Sequence, residues 1–585
     1  MPARSLAHLA SVIAAATTIG TAPRPAAAQV RSQGDFQRLD PSMPDYAPGG
    51  LNAALARERF GVDGSGVTVG VISDSFDRLY CLLFDPSTDC GPPTPFIDDA
   101  ISTGELPGSF DAANDILADA FFGVDEGRAL AEVVHDLAPG ARIKFHAADG
   151  NDDASIGAAI DALAAAGCDI ILDDAPNARA PMFQDGHAAR AVDRAIRSGI
   201  VYVSAAGNWG SNGWIGRFTR TEPTGSDPSP DPLVHDFDPS GGGNGELDVL
   251  VEAGNSITVH LQWDDPFPSL DAVPVSLDDL ADYDLELLDA DGVLIRASRR
   301  RQTDGAGTTL GLDPIEMVSS PTLLADSTLR LRIVKRDAAQ SDRALRLLVI
   351  TTGRDVDAGE LRARITDPDR TDGPTLTGQN AARDAIAVAA LRYNTGLVTG
   401  FSGRGDVEIR LAPDGTRLSS PEHRPKPSVA ASTRVDNSFY PDFTGFGDSD
   451  FERNGAPNLT GTSGATPHAA AVVALMLDHA DRRFGYRPTP LELRRALESS
   501  ATTSGADRIA EGAGLVDAIG AIALTPCGPA DLAAPFGIIS FADAARFVEL
   551  YLSADRQPAA LAEPADEATP ADIEAFVDRF FAACG

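Results

Sequence analysis

Residues 66–74 read GVTVGVISD, and the fold of the whole chain follows from them. Val67, Val69, Val71 and Ile72 give an apolar, β-branched run of strand length with little polar alternation, the pattern of a strand buried on both faces, and it stops at Asp74. Working outward, a helical pattern starts at Glu126, an RIKFHAA strand at Arg142, a helix covers Ser155 to Ala166, and CDIIL (168–172) is a further apolar strand. A helix over His187 to Arg197 and an IVYVSAA strand from Ile200 follow. Strands alternating with helices at this spacing predict parallel βαβ units, so the first part of the chain reads as α/β.

The rhythm breaks after Ser211. SITVHLQW, DYDLELLD, LRLRIVKR and ALRLLVIT are short segments with period-2 character separated by Gly, Pro and Asp clusters, which predicts an inserted β-sandwich over 211–376. The α/β pattern resumes with AIAVAAL (385–391) and runs to GAGLVDAIGAI. A repeat closes the chain: SFADAARFVELYL from Ser540 and TPADIEAFVDRFF from Thr569 each open with a capping box and place Phe547 and Phe576 in register. That predicts a paired-helix module over 525–585. Its layout resembles a dockerin or EF-hand-like tail, but Ala533 and Pro535 stand where a calcium loop from Asp531 needs oxygen donors.

Composition narrows the function. In 585 residues, 48 Lys+Arg against 85 Asp+Glu give a net charge of −37, which repels nucleic acid and anionic membrane. Residues 1–28 carry an early Arg4, an apolar run and a small-residue end at Ala26 to Ala28, the pattern of a secretory signal, and no later run is long and apolar enough for a membrane span. The mature protein is therefore expected to be exported, soluble and monomeric. Five cysteines fit that compartment: Cys81 with Cys90 and Cys527 with Cys584 bracket short segments, and Cys168 lies alone in an apolar run. Two disulfides and one buried thiol are expected, with the pairing open.

GTSGATPHAAAVVALML (461–477) puts Ser463 at the mouth of a small-residue helix, whose free N–H groups and dipole suit a developing oxyanion. By itself such a serine is an ordinary helix cap. GTSGATPH, however, matches residue for residue the serine motif of the subtilisin-like peptidases. VGVISDSFD resembles that family's first strand, with Asp74 as the triad aspartate, and SAAGN (204–208) its oxyanion motif, with Asn208 as amide donor. KPSVAAS from Lys426, TGFSGRG from Thr399 and GAGLVDA from Gly512 resemble further landmarks, so the likeness covers about 57–210 and 377–524. It implies a subtilisin-like parallel sheet flanked by helices, a 29–56 lead before it, and hydrolysis of polypeptide substrates by an exported endopeptidase. No cofactor is required for that chemistry; structural calcium is compatible with it, but no site is legible.

The base departs from the family. Members read H-G-T before an apolar helix and an A-P-x-A turn, whereas the frame set by Ala138-Pro139-Gly140-Ala141 puts Glu126-Gly127-Arg128 in that slot. His135 lies nine residues on, which at about 100° per residue turns it to the opposite side of the helix. Three readings compete: Glu126 as base, similar to the Glu-Asp-Ser arrangement of the sedolisins; a catalytically silent pseudopeptidase acting as an extracellular binding protein; and a base supplied from elsewhere, such as His146 or His187. A carboxylate is about two pKa units weaker than imidazole, roughly 3 kcal/mol of driving force, only part of which enters the barrier. Losing the base outright costs on the order of a million-fold in subtilisin itself. Glu126 is thus the favoured base, with Asp74 orienting and co-titrating with it and a mildly acidic optimum. Sedolisins carry an acid at the oxyanion position and another four residues after the glutamate; this chain has Asn208 and Leu130 there. Asp173 and Asp174, at the end of CDIIL, are candidate substrate-binding residues that would favour basic side chains. The segment between the signal and GVTVGVIS is short for a folding-assisting propeptide.

Overall fold

The computed structural model describes residues 29–84, 94–121, 123–221, 233–238, 240, 243–270, 280–301, 313–355, 359–367, 372–439, 450–528, 530–532, 539–552 and 570–582. The expected signal segment, Cys90, Cys584 and the Ala533 and Pro535 positions lie outside them.

Seven strands form one parallel sheet: β1 (Thr68–Ser73), β2 (Ile116–Ala118), β3 (Arg142–Ala147), β4 (Ile170–Asp173), β5 (Val201–Ala205), β6 (Ile386–Arg392) and β7 (Val429–Thr433), in the order β2-β3-β1-β4-β5-β6-β7. Their apolar runs are buried on both faces because helices cover both. Val69 and Val71 of β1, Ile170 and Leu172 of β4 and Val203 of β5 share a core with helices α1 (Glu126–Leu137) and α4 (Thr462–Phe484). The alternate residues Ile72, Ile171 and Tyr202 pack instead on α2 (Asp153–Ala165) and α3 (His187–Arg197). This is the expected α/β architecture of a parallel sheet flanked by helices.

Two helix starts are tight. Gly127 lies where a Cβ would come 2.4 Å from the Phe145 ring, and its N–H donates to Ser75 O at 3.0 Å, so the entry of α1 is pressed onto the end of β1. Asp125 before it holds φ 60°, a left-handed conformation that Asp tolerates better than most residues. At α4, Gly461 takes φ 114°, and a Cβ on Gly464 would meet Leu459 O at 2.7 Å. The alanines of α4 are fully buried between sheet and α1.

Between β5 and β6 the chain builds two antiparallel sheets. One runs Leu294–Ser298, Tyr283–Leu288, Ser327–Lys335, Leu247–Val251, Ala363–Ile365; the other runs Ile315–Ser319, Ile257–Trp263, Ala344–Thr351, Gly213–Arg217. They enclose a single core with Trp214, Trp263, Tyr283 and Leu347, a sandwich at the position expected from the alternating segments. It is fixed to the parallel-sheet domain by buried polar groups. Arg346, 1% exposed, donates to the carbonyls of Pro374, Leu376 and Met182, and Gln262 accepts from Met182 N–H at 2.8 Å while donating to Ala180 O at 3.0 Å. Burial draws the Arg346 guanidinium down to about 9 against the opposing charge of Glu408.

The N-terminal lead packs on the same core, with Ser32 hydroxyl on His468 Nε2 at 2.7 Å. In the tail, α5 (Phe541–Leu552) and α6 (Pro570–Ala582) meet through Phe547 and Phe576, stacked 4.2 Å apart. Asp543 accepts from Ser540 N–H and hydroxyl, one half of the expected capping box, while its own N–H goes to Ser540 O. Cys81 and Cys527 are each disulfide-bonded and Cys168 is a buried free thiol. No helix among the described residues is long and apolar enough to cross a membrane.

Candidate active site

Three strands of the parallel sheet end at one place. Asp74 follows β1, Asp174 follows β4, and Asn208 follows β5; the N-termini of α1 and α4 bring Glu126 and Ser463. The carboxyl edge of a parallel sheet is where such folds leave a crevice and where helix N-termini converge.

Asp74 serves the backbone. Oδ1 accepts the N–H groups of Ser75 (2.6 Å) and Glu126 (3.0 Å), and Oδ2 that of Val124 (2.7 Å), so this carboxylate clamps the turn from which α1 departs. Burial pushes its pKa up to about 6, aided by the charge of Asp125 and opposed by the three N–H groups. Asp125 secures the same turn: its carboxylate accepts Ser75 hydroxyl at 3.1 Å and the N–H groups of Arg78 and Leu79. This pairing explains the left-handed backbone at Asp125, and nothing in local sequence spacing announces it.

Glu126, half-buried at the first position of α1, holds the centre. Its carboxyl is hydrogen-bonded to two side chains, Ser463 and Asp174. Burial raises its pKa well above the ordinary glutamate value, the charges of Asp174 and then Asp74 raise it further, and the Ser463 hydroxyl pulls it back. Ser463 is 6% exposed, at the second position of α4, where backbone N–H groups have no partner within the helix.

Asn208 stands beside the same helix mouth. Its Oδ1 accepts Thr462 N–H at 2.9 Å and the Thr462 hydroxyl at 3.3 Å, which fixes the amide and turns Nδ2 to the other side. The Thr462 hydroxyl also accepts Gly207 N–H at 3.2 Å, locking the loop to the helix.

Asp173 and Asp174 part ways. Asp173 is fully buried, accepting from Tyr202 hydroxyl (2.9 Å), Gln379 Nε2 (3.1 Å) and Ala175 N–H (3.0 Å). Burial raises its pKa against these donors, and it offers no oxygen to a substrate. The expectation that it lines a specificity pocket is corrected: successive strand residues point to opposite faces, and residue 173 falls on the α2/α3 side. Asp174 falls on the α1/α4 side and is turned to Glu126, so the expected preference for basic substrate side chains loses its support. The alternation in IILDD carries the signal that separates the two.

Three of the histidines are held by partners or by burial. His468 is fully buried between Ser32 and Gly464 O, and burial lowers it to about 4. Burial likewise lowers His135, on α1, to about 4. The ring of His146 is bonded to Ala147 O. Among the described residues no group of three or more His, Cys, Asp or Glu is placed to hold a metal ion.

Residues 325–516, about a third of the chain, match the family model described as the subtilase family, a stretch that contains Ser463 but not Asp74, Glu126 or Asn208. No curated protein matches the sequence. Among solved structures, the CspB protease of Clostridium perfringens is similar at 13% identity over 81% of this chain and 98% of that one, with a TM-score of 0.45. The prenylagaramide maturation protease PagA is similar at 13% over 81% and 97% (TM-score 0.35). MycP1 from Mycobacterium smegmatis is similar at 15% over 86% of each (TM-score 0.33). One stretch of the chain, within a larger α/β molecule, is thus similar to the subtilase family.

Proposed function

We propose that the chain is an exported serine endopeptidase in which Ser463 is the nucleophile, Glu126 the general base, Asp74 the residue that orients the base through its backbone, and Asn208 the oxyanion donor. The observation that carries this reading is the Ser463 hydroxyl lying against the Glu126 carboxyl beside the fixed amide of Asn208. As Ser463 Oγ bonds to the scissile carbonyl carbon, its proton passes to Glu126, and the carbonyl oxygen takes the negative charge, met by Asn208 Nδ2 and the Ser463 N–H. Glu126 then returns the proton to the leaving amine as the C–N bond breaks, leaving an acyl-serine that water opens by the same route in reverse.

Helix α1 assists: Glu126 at its first position feels the positive dipole end, which favours the carboxylate that must be present before attack. Burial and two neighbouring acids oppose it, so the base sits well above ordinary carboxylates, which makes it a stronger proton acceptor than an exposed glutamate. Activity is expected to be lost as acid protonates Glu126. The test is hydrolysis of a denatured protein from pH 3 to 9 by the parent chain, Ser463→Ala, Glu126→Ala and Glu126→His. Activity in the parent that is absent from Ser463→Ala and falls at least about 100-fold in Glu126→Ala supports the reading. A silent parent with gain in Glu126→His, or activity that survives Glu126→Ala, overturns it.

A further inference from the structure

The oxygen of Glu126 that does not receive Ser463 needs a partner, and the triad pattern of the sequence assigns that place to Asp74. The geometry points elsewhere. Asp74 spends both oxygens on the N–H groups of Ser75, Val124 and Glu126 and so holds the backbone of the base. The side chain hydrogen-bonded to the Glu126 carboxyl is Asp174. We infer that Asp174 is the positioning residue of the base: it shares one proton with Glu126, and this carboxyl pair, rather than Glu126 with Asp74, is the acid–base unit behind Ser463.

The placement is built, not incidental. Asp174 N–H continues the sheet ladder onto Ile72 O at 2.9 Å, and Asp173 on the opposite face is locked by Tyr202, Gln379 and Ala175. The loop that follows is tied down by Gln379 on Ala175 O (2.7 Å), by Thr377 hydroxyl on Asn177 O (2.6 Å), and by Gln262 and Arg346 of the sandwich on Ala180 and Met182. A positioning group on such a footing keeps its geometry through turnover. The inserted sandwich thereby braces the segment that carries Asp174.

Charge then dictates the proton count. Two carboxyls within hydrogen-bond reach do not both ionise easily, and the pair titrates as a unit. The groups acting on Glu126 are Asp174 and then Asp74, both acidic, and the Ser463 hydroxyl; Asp125 acts on Asp74. Arg128, the cation on the same helix, is 3.6 Å from Asp125 and 3.6 Å from Glu132 and lies over the Phe439 ring. With one proton on the pair and resting on Asp174, Asp174 donates to Glu126, and Glu126 accepts from Ser463. During attack the Ser463 proton moves to Glu126 and the proton on Asp174 stays; during leaving-group departure Glu126 gives its proton to the amine, and the pair ends with the one proton it began with. A second proton removes the base, and loss of the first sets two carboxylates against each other.

This rests on the proposed peptidase reading, and the tests separate the two. Parent enzyme is expected to give a bell-shaped kcat/KM profile. Asp174→Asn keeps a donor to Glu126 but cannot ionise, so its alkaline limb is expected to move up by at least one pH unit while the acid limb stays. Asp174→Ala, which removes the donor, is expected to lower kcat by about 10- to 100-fold with little change in KM. A profile of Asp174→Asn superimposable on the parent's would overturn the assignment. Independently of turnover, difference infrared spectra of Ser463→Ala at pH 7 are expected to contain a protonated carboxyl band that disappears in Ser463→Ala/Asp174→Asn. An unchanged band contradicts the shared proton even if the peptidase reading stands, and a band that disappears in a protein without peptidase activity supports the pair while that reading falls.

Discussion

Acids of the sandwich and acids at the edge of the parallel sheet are buried by opposite means. In the sandwich several carboxylates meet arginine: buried Asp265, 3% exposed, takes Arg343; buried Asp284 takes Arg336 and Arg299; half-buried Glu246 takes Arg330 and Arg332. At the sheet edge, Asp74 meets backbone N–H groups, and Glu126 meets a hydroxyl and another acid. No cation figures among the main influences on either. The first arrangement holds a fold together, whereas the second keeps protons near neutral pH available for transfer, at the expense of stability.

Breaking each side of this contrast gives different outcomes. The largest effect is expected at the base: Glu126→Ala should lower kcat by about 1000-fold or more with the fold intact, read by kcat and by an unchanged circular dichroism spectrum. Next, Asn208→Ala should cost about 100- to 1000-fold in kcat with little change in KM, as loss of one oxyanion donor does elsewhere. In the sandwich, Arg343→Met removes the nearer partner of buried Asp265, leaving only Arg417 at 3.8 Å, and should destabilise by about 3 kcal/mol in urea unfolding, with the hydrolytic rate of the remaining folded protein nearly unchanged.

The smallest effect concerns pH and has the opposite sign from the usual surface acid. Glu126 is raised in the folded chain, Asp74 is raised to about 6 and Glu105, pushed up by burial and by Glu132, to about 7. Groups raised in the folded state contribute stability that is fully present below the ordinary carboxylate range and lost as pH rises through the raised values. Tm should therefore fall between about pH 4 and 7, the span from ordinary carboxylates to the raised values of Asp74 and Glu105, and Glu126→Gln should flatten part of that decline while abolishing activity. A Tm that rises over the same interval in the parent would contradict the directions given for these acids.

Much of this is legible in the amino-acid sequence alone. Apolar runs without alternation marked the parallel strands, alternating ones the sandwich, and the Ala-Pro-Gly-Ala turn placed Glu126 at the start of α1. Ser463 and Asn208 were readable because each lies inside a compact motif. What escaped depends on long-range partners. Asp173 and Asp174 are adjacent and chemically identical, and only the identity of the helices on each face of β4 decides that one is structural and the other faces the base. The triad pattern assigns Asp74 to the Glu126 side chain, yet its oxygens go to N–H groups made available by the turn at Val124 to Glu126, where Ser75 helps hold Asp125 in a left-handed backbone. Local patterns specify strands and helices; which groups meet across 50 or more residues is set by packing.

The claim that Ser463 is a nucleophile activated by Glu126 is tested most directly by reacting the folded protein with a fluorophosphonate at pH 7 and mapping the adduct by mass spectrometry. The account predicts phosphonylation at Ser463 in the parent, none in Ser463→Ala, and a rate at least about 100-fold slower in Glu126→Ala. An unmodified Ser463 in the parent, or one modified equally fast without Glu126, would contradict it.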